Sequence, residues 1–192
     1  MERLKKQIAA GESEAFVELY DLLGERLLRY LTARLNANDA HDVLQEVFVR
    51  LVRYRRKLAK SDNLNAYVFL VARNEANRWM AKNGRRTSGQ NVQLETDVVA
   101  GKASIGARCE QQETVAHLLA HLTSEVQEIV QLKIHSGLTF VEVAQIVGMP
   151  ESTVATKYRR GILKMQSVAS DVTEADQNKS QTTPDFVVRR GD

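Results

Sequence analysis

Residues 137–165 read GLTFVEVAQIVGMPESTVATKYRRGILKM, and their punctuation leaves few folds open. Thr139 and Glu142 stand three apart, as the N-cap and N3 of a capping box do. Phe140, Val143, Ala144 and Val147 then recur at helical spacing, so one face is apolar. Gly148 suits the left-handed residue that ends a helix. Pro150 suits the start of the next, because its missing N–H would have no partner there anyway. In the second helix Val154, Tyr158, Ile162 and Met165 share one face. Ser152, Ala155, Thr156, Arg159 and Arg160 point outward, with Lys157 on the flank. A short polar corner followed by small and donor-bearing side chains is the pattern of a helix-turn-helix, whose second helix enters the major groove of DNA. The plainer alternative is a helical hairpin inside an all-α core.

Upstream, the same periodicity predicts more helices. Phe16, Leu19, Tyr20, Leu23, Leu27, Tyr30 and Leu31 imply a helix pair or one bent helix over 13–35, with Gly24 as the bend. Asp39 is placed to cap a helix over 40–58, whose stripe of Val43, Leu44, Val47, Leu51 and Val52 should be buried. Another helix is predicted over 64–83, ended by Gly84. Residues 87–108 lose the periodicity and are rich in Ser, Gly, Gln and Asn, as linkers are. Helices resume at about 110–121 and 125–135. Residues 167–192 have little to bury and read as a disordered tail. With only two prolines, the expected fold is all-α: two small helical domains, at 12–86 and 110–166, joined by a flexible linker at 87–109. Little in the sequence suggests that anything holds the two in one arrangement.

Charge is uneven along the chain. Residues 1–86 hold 17 Lys+Arg against 11 Asp+Glu, a net of +6, whereas the whole chain is only +3. The basic surplus therefore lies in the first module rather than in the helix-turn-helix. The single cysteine, Cys109, excludes an intramolecular disulfide framework and suits a reducing compartment. The opening MERLKKQIAAGESEAF has no apolar core of a signal peptide, and no run approaches the ~20 apolar residues of a membrane span. These features point to a soluble cytoplasmic protein with no membrane insertion.

Three segments, taken in order, carry a resemblance. DAHDVLQEVFVRL (39–51) resembles the region 2 signature of bacterial sigma factors of the extracytoplasmic-function (ECF) group, in the sigma-70 family. NLNAYVFLVARNEANRWMAKNGRR (63–86) resembles the promoter-melting helix that follows it. LTSEVQEIVQLKIHSGLTFVEVAQIVGMPESTVATKYRRGILKM (122–165) resembles region 4. The likeness covers about 12–166 with the family's linker in its place. It implies an alternative sigma factor that binds core RNA polymerase and directs transcription initiation. The alternative is a stand-alone helix-turn-helix repressor or activator, which would have no reason to match over 39–86.

The resemblance also assigns residues. Asp42, Gln45, Glu46 and Val49 would meet the arginine-rich clamp helices of the polymerase β′ subunit, the carboxylates through charge-assisted hydrogen bonds. Region 4 would meet the β flap. Lys60, Asn63, Tyr67, Asn74, Asn77, Arg78 and Lys82 would hold the unpaired −10 strand. Basic groups there neutralise phosphate, and aromatics such as Tyr67, Phe69 and Trp79 stack on bases. Tyr67 replaces the family's usual tryptophan, and Arg78 stands where an acidic or amide residue is common. Ser152, Thr153, Thr156, Lys157, Arg159 and Arg160 would contact the −35 duplex. Ala155 removes a basic side chain common at that position, and Lys157 lacks the bidentate fork of arginine.

The pattern implies no catalytic residue, cofactor or metal. Glu113, His117 and His121 share a helix face, but the first and last lie about 12 Å apart along the axis at 1.5 Å per residue, too far for one ion. The resemblance implies one further partner, an anti-sigma factor that inserts between the two modules.

Overall fold

A computed structural model of the protein describes residues 2–83, 115 and 117–180, and these contain no strand. Gly84, Cys109, Glu113 and the expected linker lie outside the described residues.

The first helix, α1 (Glu2–Ala10), precedes the expected start of the domain. Leu4 and Ile8, one turn apart, drop into the core, so the N-terminal segment belongs to the module. Gly11 turns the chain at φ 85°. Helix α2 (Ser13–Thr32) is one helix of 20 residues with no break at Gly24. That glycine instead makes room for the Tyr20 ring, which would lie 3.3 Å from an added Cβ. Asn36, not Asp39, caps α3 (Ala37–Arg53): its side chain accepts from the Asp39 N–H at 2.9 Å, leaving Asp39 at N3. Val43, Leu44, Val47 and Leu51 are buried as the stripe requires. Val52, expected with them, is 44% exposed, because one more residue of rotation carries it past the edge of the stripe. Tyr54 interrupts the helix, and the short α4 (Arg55–Ala59) follows. Helix α5 (Leu64–Asn83) lies across α3, and its Phe69 is fully buried, edge-on to Tyr30 at 6.0 Å.

The second module comprises α6 (Ser124–Ser136), α7 (Phe140–Val147) and α8 (Glu151–Ser180). The capping box forms as its residue types predict: Thr139 Oγ1 accepts from the Glu142 N–H, and Glu142 accepts from the Thr139 N–H at 2.8 Å. Gly148 adopts φ 73° and donates its N–H to Ala144 O at 2.9 Å, closing α7. Val154 is fully buried at the foot of α8. Gly161 is the other fixed point, since an added Cβ would sit 2.7 Å from Val126 of α6. Helix α8 runs on to Ser180, well past residue 166. The backbone of 167–180 is therefore helical where the sequence predicts a tail.

The two modules are not independent. Helix α2 packs on α6 and α5 packs on α7, and buried side chains of both modules form one continuous apolar cluster. Polar contacts cross the seam. Arg34 and Arg73 both pair with Glu128, Arg26 donates to the Ser136 carbonyl, and Gln131 donates to the Ala33 carbonyl at 3.0 Å. The expectation that little holds the modules together is thus overturned. The reason is physical: one buried carboxylate satisfied by two guanidiniums fixes a relative placement that no local pattern encodes.

Candidate nucleic-acid and polymerase interface

On α3 the residues opposite the buried stripe form one surface. Asp42, Gln45, Glu46 and Val49 are all exposed, Val49 to 59%, at positions i, i+3, i+4 and i+7. Val52 continues that line by one turn and adds apolar area to it. On the adjoining α2, Val17 and Tyr20 are also exposed, and the Tyr20 ring leans on Phe48 at 5.1 Å. The surface thus combines acidic and amide groups with an apolar margin, which suits a protein partner bearing arginines.

The candidate −10 residues divide into two groups. Asn74, Arg78 and Lys82 are exposed on α5, and Lys60 is exposed at the end of α4. Arg78 is held by Glu75, which is 4% exposed and also pairs with Arg50 at 2.6 Å. Tyr67 is half-buried against the core, and burial raises its hydroxyl pKa. Phe69 is in the core and presents no face to a base. The others are already engaged. Asn63 caps α5 by accepting from the Ala66 N–H at 3.0 Å, and its amide donates to Glu142 at 3.2 Å. Asn77 accepts from Arg34 at 2.7 Å.

The recognition helix is open by comparison. Ser152, Thr156, Arg159 and Arg160 are exposed at the head of α8, and Thr153 is half-buried. The Thr156 hydroxyl donates to the Ser152 carbonyl at 2.8 Å, which orients it along the helix. Lys157 pairs with Glu125 of α6, so its ammonium is directed to its own module. Along the same helix, Phe140, Ala155, Tyr158, Arg159, Ile162 and Leu163 line a shallow, mostly apolar hollow of about 280 Å³, with Phe140 and Tyr158 edge-to-face at 5.5 Å. His117 and His121 stack edge-to-face at 4.9 Å. Among the described residues, no group of three or more His, Cys, Asp or Glu is placed to hold a metal ion.

Comparison with known proteins decides the family. The profile of sigma-70 region 2 matches residues 19–86, and that of sigma-70 region 4 matches residues 112–165. The chain belongs to the sigma-70 family, in its ECF group. It is 28% identical over 165 residues to the ECF RNA polymerase sigma factor SigK of Mycobacterium ulcerans, covering 81% of this chain and 86% of that one. It is 23% identical to the ECF RNA polymerase sigma-E factor of Haemophilus influenzae, over 82% and 88% of the two chains. Its fold is similar to that of CnrH solved with the cytosolic domain of CnrY (TM-score 0.69, 20% identity, 88% and 97% of the chains). It is similar also to the sigma factor RpoE solved with the anti-sigma factor NepR from Bartonella quintana (TM-score 0.64, 21% identity, 80% and 94%). A sigma factor directs transcription initiation, and both of its DNA-reading regions are present here in order.

Within that frame, the residues that join region 2 to region 4 had no signal in the sequence. Arg34, just beyond α2, donates to the Tyr30 hydroxyl, to Asn77 and to Glu128. Burial pushes the Tyr30 hydroxyl up to about 12, so it stays neutral. Burial also pushes the Glu128 carboxyl up, but the hydrogen bonds and charges of Arg73 and Arg34 outweigh it and hold the group below the usual carboxylate range. Glu142 is opposed the same way: burial raises it, while the Thr139 N–H and hydroxyl and the amides of Asn63 and Asn65 bring it lower. Both carboxylates are therefore charged at neutral pH. The capping-box pattern located Glu142 but not its second role.

Proposed function

We propose that this sigma factor grips the β′ clamp helices of core RNA polymerase through Asp42, Gln45, Glu46 and Val49. It reads the separated −10 strand with Lys60, Asn63, Tyr67, Asn74, Asn77, Arg78 and Lys82, and the −35 duplex with the head of α8. The observation that carries this reading is a pairing on one chain: a region 2 module whose α3 face is exposed, and a region 4 module whose recognition helix is exposed. The mostly apolar hollow along α8, lined by Phe140, Ile162 and Leu163 among others, is of a kind to receive the β flap. The protein supplies no chemical step; it positions polymerase and opens DNA, and it works in the cytoplasm. No helix among the described residues is long and apolar enough to cross a membrane. An anti-sigma factor is the partner we infer beyond polymerase and promoter, by analogy with the complex of RpoE and NepR.

The test is capture of core polymerase followed by run-off transcription. Gln45→Ala with Glu46→Ala should weaken core binding about tenfold or more, since each loses a hydrogen bond to a charged partner. Thermal unfolding of the double variant should match wild type, because both side chains are exposed. Unchanged core affinity would sink the clamp-helix assignment.

A further inference from the structure

We infer that His117 and His121 form an exchangeable two-histidine site for Zn²⁺ on the turn that leads into α6. The inference is independent of the surfaces read above as polymerase and DNA contacts.

Its basis is how the two rings meet. His117 and His121 stand at i and i+4, so a helix sets their side chains one above the other on one face. Both are exposed. The two Nε2 atoms are 3.4 Å apart, whereas the ring centroids are 4.9 Å apart. The nitrogen-bearing tips therefore lean together. Left to itself the pair is poorly satisfied. The contact is longer than an ordinary protein hydrogen bond of about 2.7–3.2 Å. Where neither Nε2 carries a proton, two lone pairs face one gap.

A tetrahedral ion fits that gap. Zn–N bonds of about 2.0–2.1 Å at a tetrahedral angle put two ligand nitrogens about 3.3–3.4 Å apart. Neighbouring ligands at a right angle, as in octahedral or square-planar coordination, would stand only about 2.8–3.0 Å apart. The spacing thus selects Zn²⁺, an ion that imidazole suits, over ions that demand right angles.

The surroundings favour a cation and hold the turn still. The helical residues 117–120 stop at His121, so the negative, carbonyl end of that helix lies beside the pair. The Gln127 amide of α6 donates to the Leu119 carbonyl at 2.7 Å and to the Leu122 carbonyl at 3.2 Å. Leu122 is buried and lies 3.7 Å from where a Cβ on Gly161 of α8 would sit. The histidine turn is thus tied to both helices, and an arriving ion meets ligands already placed. Two histidines leave two corners of the tetrahedron for water, which makes this an open, exchangeable site rather than a closed structural one.

The test is titration of the tag-free, metal-stripped full chain with Zn²⁺ against a chromophoric chelator, with the histidine ring nitrogens followed by NMR. One Zn²⁺ should bind per chain, and the Nε2 signals of His117 and His121 should shift while those of His41 and His135 stay. His117→Gln and His121→Gln should each weaken binding at least about tenfold, since loss of an outer-shell partner alone costs about 10–100-fold. Both side chains are exposed, so the metal-free variants should unfold at the wild-type midpoint. His41→Gln and Cys109→Ser should bind as the wild type does. Zn²⁺ should raise the denaturation midpoint of the wild type and not that of the double variant, because the i, i+4 pair exists only in the folded chain. Undiminished affinity in the double variant would overturn the site, as would loss of the ion in Cys109→Ser or no uptake by the wild type.

Discussion

Helix α8 carries Arg159 and Arg160 into open solvent, whereas α5 and its cap carry Arg73, Asn77 and Asn63 into contacts that another part of the chain already fills. Both helices have a donor-rich face, and both are proposed to meet DNA. They differ in their neighbours. Helix α8 packs on α6 and α7 of its own module and leaves its outer face free. Helix α5 lies between α3 on one side and α7 on the other, so the second module lies against part of its polar front. A donor-rich helix face is therefore not by itself an available one; availability is set by what stands opposite.

The comparison can be broken most severely at Gly161. An alanine there would place its Cβ against Val126 Cγ1 and Val130 Cγ2 and force α8 away from α6. Overpacking of this kind costs about 1–3 kcal/mol. Gly161→Ala should lower the denaturation midpoint and abolish −35 duplex binding at physiological temperature, while the α3 face still captures core polymerase. Retention of duplex affinity would mean that the seat of α8 on α6 does not set its reading face.

A smaller effect separates the two DNA faces. Arg159→Ala and Arg160→Ala should each reduce the salt dependence of duplex binding by roughly one phosphate contact. Arg78→Ala and Lys82→Ala should leave duplex binding nearly unchanged and reduce open-complex formation on duplex promoters. Equal losses on pre-melted and duplex templates would remove the strand-specific role of α5.

The smallest effect is a pH dependence at the seam. Burial lowers the pKa of His135 below the ordinary value of about 6.5, and the nearby Arg29 lowers it further. A group depressed on folding binds its proton better when unfolded. Its contribution is therefore complete above about pH 6.5 and is lost as the pH falls through the folded value. The denaturation midpoint should drop modestly between about pH 7 and pH 5.5, and His135→Gln should flatten that slope. An unchanged slope in the variant would assign the drop to other groups.

How far the sequence could be read follows from the range of each interaction. The capping box at Thr139–Glu142, the Gly148 turn and the stripe of Val43, Leu44, Val47 and Leu51 all rest on contacts within one or two turns, and all were legible. Errors came where rotation or a neighbour decided. Val52 fell just outside its stripe, Asn36 took the cap ascribed to Asp39, and α8 ran past residue 166. Leu4 and Ile8 carry a usable signal, a one-turn apolar pair, that places α1 in the core.

By itself, then, the sequence determined the all-α architecture, the order of region 2 and region 4, and the faces of α3 and α8 that stay exposed. Each is dictated by helical periodicity and end-capping, which act within a few residues. Only the tertiary structure decided that Glu128 would sit between Arg34 and Arg73, that Glu142 would hold Asn63 and Asn65, and that Asn77 would serve Arg34. Those partners are 43 to 94 residues apart along the chain. Charge pairing at such separations leaves no periodic trace: any exposed arginine is spelled like one that will be buried, and only the packing of one module on the other chooses between them.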